Sequence, residues 1–243
     1  MKLSRRFIAL PVLLLGFIPA LAGSSKFSVS GSLKLSSAYV WRGEQVCGLH
    51  LNPCVAFHYG NLCLEQYSFL SLDGNYREID WDLSYTIGPV TLHLADYYWH
   101  GPGHSKEGNY FSWAKGTTHH VDEVVVVYSS GAIPFRASWF TFFWGDWLPA
   151  GVPGEGRLSF SSYLQLEGWY DFGKYGTLSA VFGASVLKGS YTGYTKDFMP
   201  VHLALAYSKS FDFASFSIPL ELSFVLNPYN GACLPSASVG IRF

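Results

Sequence analysis

Between Arg77 and Gly88 the chain reads REIDWDLSYTIG, and polar and apolar residues alternate without a break. Glu78, Asp80, Asp82, Ser84 and Thr86 fall on one side, and Ile79, Trp81, Leu83, Tyr85 and Ile87 on the other. A period of two predicts a β-strand with one acidic face and one greasy face. The same rhythm recurs near 27–42, 52–59, 62–72, 90–100, 120–129, 133–144, 157–171, 177–187, 200–210, 214–226 and 235–243, which with 76–87 makes about 12 strands, an even count as in single-chain bacterial barrels.

The connections alternate in length. Tight turns are expected at Gly60-Asn61, Gly88-Pro89, Ser130-Gly131, 172–176 and 211–213. Longer loops are expected at 43–51, 101–119, 145–156, 188–199 and 227–234, with a short exception at 73–75. A water-soluble sandwich has no reason to sort its loops in this way, whereas a transmembrane antiparallel up-and-down β-barrel has short periplasmic turns and longer extracellular loops. In that architecture the greasy face of each strand meets lipid and the polar face lines the lumen.

The chain ends and the composition agree with this inversion. Lys2, Arg5 and Arg6 precede an apolar run of about 13 residues and then Ala20-Leu21-Ala22, the form of a signal peptide cleaved after Ala22 and too short to span a bilayer. The expected organisation is a signal peptide at 1–22 and one barrel domain at 23–243. The chain is 49% hydrophobic and 18% aromatic but only 14% charged, against about 25% charged residues in an average soluble domain. Every backbone polar group must be paired in lipid, and a closed barrel achieves this.

Aromatic residues fall near both predicted boundaries. Tyr39, Trp41, Tyr98, Trp99, Trp139, Phe143 and Trp144 lie toward the loops, and Tyr59, Tyr85, Tyr128, Tyr170, Tyr207 and Phe243 toward the turns. The last strand, SASVGIRF, alternates and ends on Phe243. It resembles the C-terminal signal of bacterial outer-membrane barrels, which implies the barrel-assembly machinery as a partner beside the outer-membrane lipids.

The polar faces name the expected lumen lining: Lys34, Arg42, Glu65, Glu78, Asp80, Asp82, Glu123, Arg136, Arg157, Glu167, His202, Glu221 and Arg242, with Gln165 among them. Two readings are open. An acidic wall on the third and fourth strands would favour cations, sugars or amines in a narrow channel for small polar solutes. Alternatively the acids pair with Arg42, Arg136 and Arg242 and leave a plugged, structural barrel whose loops meet partners.

Catalytic and cofactor signals are weak. In HGPGHSKEG, Ser105 directly follows His104 in a Gly-rich loop, the wrong spacing for the nucleophile of a membrane-embedded lipid-modifying enzyme. His119, His120, Asp122 and Glu123 are metal-ligand types, but adjacent residues on a strand face opposite ways, so solvated loop positions are expected. No enzyme, cofactor or metal site is therefore predicted. A formal charge of −1 disfavours a nucleic-acid partner. Export to an oxidising compartment makes a disulfide from Cys233 to Cys47 or Cys54 the expected staple, with a local Cys47–Cys54 bridge as the alternative and Cys63 free.

The stretch SSAYVWRG carries Ser37, Tyr39, Trp41, Arg42 and Gly43. It resembles a Ser-x-Tyr-x-aromatic-Arg-Gly motif near the mature N-terminus of a family of small conserved hypothetical bacterial outer-membrane β-barrel proteins. Looser similarity in strand and turn rhythm extends over most of the mature chain. The resemblance implies an outer-membrane barrel of uncharacterised role, with transport sometimes suggested; a monomer in the outer membrane of a Gram-negative bacterium is the expectation for this chain. On physical grounds Tyr39 and Trp41 are expected to face the outer lipid boundary, Arg42 the lumen mouth, and Gly43 the sharp turn into the first loop.

Overall fold

The computed structural model describes residues 27–100 and 109–243. The segment read as a signal peptide, and His104 with Ser105, lie outside these residues.

The alternating segments form β1 (Phe27–Ser36), β2 (Tyr39–Trp41), β3 (Glu44–Cys47), β4 (His50–Tyr59), β5 (Leu62–Ser71), β6 (Arg77–Ile87) and β7 (Val90–His100). They continue as β8 (His120–Tyr128), β9 (Phe135–Trp144), β10 (Ser162–Asp171), β11 (Thr177–Ser185), β12 (Met199–Asp212), β13 (Ser217–Asn227) and β14 (Ala232–Arg242). β1 and β4 to β14 make a closed antiparallel barrel of 12 strands. β1 closes it, pairing with β4 from Phe27↔Tyr59 to Ser36↔His50 and with β14 from Ser32↔Arg242 to Ser36↔Ser238. Every strand of the wall therefore has a neighbour on both sides, and the wall leaves no open sheet edge.

Register fixes which side chains share a face. Glu65 pairs with Asp82, Asp82 with Ala95, Ala95 with Glu123, and Arg136 with Glu167, so all of these point to the interior. The opposite set, Leu83, Leu94, Val124 and Trp139, is exposed on the outside. Leu205 at 57% and Leu222 at 60% exposure illustrate how apolar that outer surface is. The inversion read from REIDWDLSYTIG is thus the observed one: carboxylates in, Trp81 and Leu83 out.

The five tight connections at 60–61, 88–89, 129–134, 172–176 and 213–216 lie at one end. At the other, 37–49, 145–161 and 186–198 are longer, but 72–76 is short and the long loop expected at 227–234 shrinks to the turn 228–231, because β13 and β14 extend into it. Tyr59, Tyr85, Tyr128, Tyr170, Tyr207 and Phe243 form an exposed ring of aromatics near the turn end. The loop-end ring is thinner than the sequence suggests, because Tyr39, Trp41 and Trp99 line an internal chamber instead. Two strand limits also move. The first predicted strand breaks after Ser36, and β10 begins at Ser162 rather than at 157.

Candidate functional site

After Ser36 the chain leaves the wall and turns inward. β2 and β3 pair only with each other, through Tyr39↔Cys47, Val40↔Gln45 and Trp41↔Glu44. Their connection is Arg42-Gly43, with φ of 49° and 89°. Two consecutive positive φ angles define a primed hairpin turn, whose twist matches that of its strands. Glycine is required at the second position: a Cβ on Gly43 would stand 1.9 Å from the Val201 carbonyl oxygen. The Asn227 amide donates to the Gly43 carbonyl at 3.1 Å, tying the turn to β13.

Arg42 anchors the tip. Its guanidinium donates to both Glu123 oxygens, at 2.7 and 2.6 Å, and also to the Tyr191 hydroxyl. Tyr97 donates to the same carboxylate at 2.9 Å. Both members of the ion pair are buried, with Arg42 7% and Glu123 0% exposed. Five aromatic rings lie near the cation, with the centroids of Phe140, Trp41, Tyr163, Tyr191 and Phe142 at 4.2, 4.5, 5.0, 5.6 and 5.7 Å. Bidentate hydrogen bonding and cation–π contact together replace the water that a buried guanidinium has lost. An arginine held at positive φ is strained, and these contacts hold it there.

The hairpin crosses the lumen. It starts between β1 and β4, yet the acid that holds its tip is on β8, about halfway round the barrel order. Closer to its root, the Tyr39 ring stacks on Phe69 of β5 at 3.8 Å. Tyr39 and Trp41 therefore do not face lipid, and Arg42 is inside the barrel rather than at its mouth. Gly183 makes room for the far wall, since a Cβ there would meet the Tyr163 hydroxyl at 1.9 Å.

A chamber remains on each side of the hairpin. One, of about 290 Å³, is polar and is lined in part by Lys34, His50, His202, Glu221 and several serines. The other, of about 250 Å³, is bounded by Trp41, Trp99, Tyr76, Tyr97, Glu44 and Glu78 among others. Glu78 accepts from the Tyr76 hydroxyl at 2.6 Å. Asp80, next along the same inward face, is fully buried, and neither of its oxygens has a hydrogen-bond partner.

The half of the lumen nearer the turns carries Glu65, Asp82, Arg136, Glu167 and Arg242 on its wall. Arg136 donates to Glu167 on the neighbouring strand, and the His93 ring nitrogen lies 2.9 Å from Asp82. The expected lumen residues are thus inside, with one exception. Arg157 lies on the exposed loop between β9 and β10, because β10 starts only at Ser162.

Over the hairpin, loops 145–161 and 186–198 clasp each other. The Ser190 amide donates to the Ser161 hydroxyl at 2.8 Å, and Tyr194 donates to Asp146 at 3.1 Å. Burial beside Asp146 pushes the Tyr194 phenol up. The clasp delivers Tyr191 to Arg42, a partner that no alternation in the sequence marks.

Two further expectations are corrected. All four cysteines are free. Cys54 pairs opposite Ser32 and faces the lumen, Cys233 is on the exposed outer face, and Cys47 has gone inward with β3, so either expected staple to Cys233 would have to join opposite faces of the wall, and the local Cys47–Cys54 bridge is not formed either. His120 is not a solvated loop residue. It is buried on the outer side of β8, with Nδ1 2.7 Å from Asp96 and its ring stacked on Trp113 at 3.8 Å. His119 lies just before the strand, its ring 6.0 Å from that of Tyr98.

No family model matches this chain, and no curated protein does. Among solved structures the barrel is similar to the KdgM porin, at 10% identity over 88% of this chain and 98% of that one, with a TM-score of 0.48. It is also similar to the NanC porin (9% identity, 89% and 99% covered, TM-score 0.46). An outer-membrane channel from Pseudomonas putida F1 is 13% identical over 90% of this chain and 95% of that one, with a TM-score of 0.45. At such identities the likeness is one of barrel shape alone, and the lumen is described from its own residues.

Proposed function

We propose that the protein is a monomeric outer-membrane β-barrel of a Gram-negative bacterium that passes small polar solutes, with preference for cations, through a lumen narrowed by the β2–β3 hairpin. The observation that carries this reading is the hairpin flanked by two chambers, together with the mixed charge of the inward wall nearer the turns. The apolar outer surface and the aromatic ring at the turn end support placement in a bilayer. Transport of this kind involves no chemistry: selection comes from width and from the field of the inward carboxylates. Phe243 is the residue proposed for recognition by the assembly machinery.

A second reading has an observation in its favour. The buried Arg42–Glu123 pair holds the hairpin at its far end, as a permanent plug would be held. Single-channel recording of the refolded mature chain in a planar bilayer under a potassium chloride gradient separates the two. Discrete cation-preferring steps are expected, with the reversal potential moving toward zero in Asp82→Asn. Silence in both the parent and Arg42→Ala, with normal folding, would overturn the channel reading and leave the plugged barrel.

A further inference from the structure

We propose that the chamber between the hairpin and strands β6, β7 and β9 is a binding site for a small organic ammonium ion, which names a solute class for the channel reading on which it rests. The chamber is an aromatic box with acids in its wall. Trp41 and Tyr97 bound it with Trp99, Tyr76 and Phe142, while Glu44 on the hairpin and Glu78 on β6 supply carboxylates. Faces of electron-rich rings attract a cation through their quadrupoles, and alkylated ammonium ions, being weakly hydrated, gain most from such a box.

The charge around it is one-sided. Among the described residues no Lys, Arg or His lines this chamber. Arg42 lies just beyond Trp41, but its charge is matched by Glu123 through two hydrogen bonds. Glu78 has a phenol for a partner, not a cation. Behind the box, the buried Asp80 lies on the same inward face as Glu78. A cation in the chamber would gain from the carboxyl groups of this wall, and an anion or neutral sugar would not.

The volume sets a scale. About 250 Å³ accepts a choline-sized or short diamine ligand but not a folded peptide or an oligosaccharide. The polar chamber across the hairpin differs in kind, since Lys34 lies in its wall beside Glu221.

Trp41 and Trp99 make the site readable without transport. The full mature chain in detergent micelles is titrated with choline chloride and, separately, with its uncharged isostere 3,3-dimethylbutanol, following tryptophan fluorescence and calorimetric heat. Saturable choline binding is expected, at least tenfold tighter than the isostere, and weakened at least tenfold by Glu44→Gln and by Glu78→Gln. Glu44 is exposed on the hairpin, so Glu44→Gln keeps the test valid if Glu78→Gln fails to fold. Equal response to the two ligands, or choline binding unchanged in a folded Glu44→Gln variant, overturns the site. Choline binding to a protein that conducts no ions would keep the site and remove the channel, whereas conductance without choline binding would do the reverse.

Discussion

Arg42 and Glu123 are 81 residues apart in sequence and meet through two parallel hydrogen bonds of 2.7 and 2.6 Å inside the barrel. One belongs to a hairpin tip and the other to the wall, so the pair is the joint between plug and barrel. Removing one member of a buried ion pair strands the other charge, at a cost of about 3–5 kcal/mol. Arg42→Ala and Glu123→Gln are each expected to lower the urea midpoint of the refolded barrel and to raise its conductance severalfold. The double variant should cost less than the sum of the two, as a double-mutant cycle would register.

Gly43→Ala tests the tip from the backbone side. The new methyl group would meet the Val201 carbonyl, and alanine resists a φ of 89°. A loss of roughly 1–3 kcal/mol is expected. The companion Gly60→Ala, also at positive φ but with open space around it, should lose less because only the backbone term remains. Equal losses in thermal or urea unfolding would mean that the Val201 contact does not matter.

The two faces of the wall can be told apart by charge. Leu83→Arg and Leu205→Arg place a cation on the exposed apolar surface, which costs about 2–4 kcal/mol near a bilayer midplane. Ser84→Arg and Ala204→Arg point the same side chain into the lumen. Folding into lipid vesicles, read by the heat-dependent shift of the band on a gel, is expected to fail or slow for the first pair and to persist for the second.

Thiol chemistry checks the cysteines. With no bridge present, the purified chain unfolded without reductant should titrate four thiols, and its mass should not change on reduction. In the folded state in vesicles, Cys233 should react with a lipid-soluble maleimide, while Cys54 and Cys63 should react only with small water-soluble reagents that enter the lumen.

Much of this architecture was legible because a β-barrel wall is a repetition of one rule. Parity alone put Glu65, Glu78, Asp80, Asp82, Glu123 and Glu167 on the inside, and the structure places them there. The same rule failed where the chain left the wall. SSAYVWRG continues the alternation of β1, so periodicity reads 27–42 as one strand, although a barrel strand needs only about 9–11 residues to cross. The excess length and the Arg-Gly pair were the available signs of a turn. Arg157 was misplaced for a related reason, since parity cannot tell a strand from the loop that leads into it. Tyr191 had no sequence signal at all: it reaches Arg42 because two loops clasp each other through Ser161 and Ser190. The missing bridges to Cys233 likewise follow from which way each strand faces, and compartment chemistry says nothing about that.

The far attachment of the hairpin constrains the order of assembly. Its tip is held by β8 and surrounded by rings from β9 and β10, so it has nothing to dock against until most of the wall exists. Meanwhile its root is held by the long ladder between β1 and β4, whereas β1 and β14 share a much shorter one. A chain that sealed the short ladder first would have to bring the hairpin in through the narrow loop end, past the segment that carries Tyr191. The sequence of events at the β1–β14 seam, and not the final contacts alone, therefore decides whether a newly made barrel is filled or hollow.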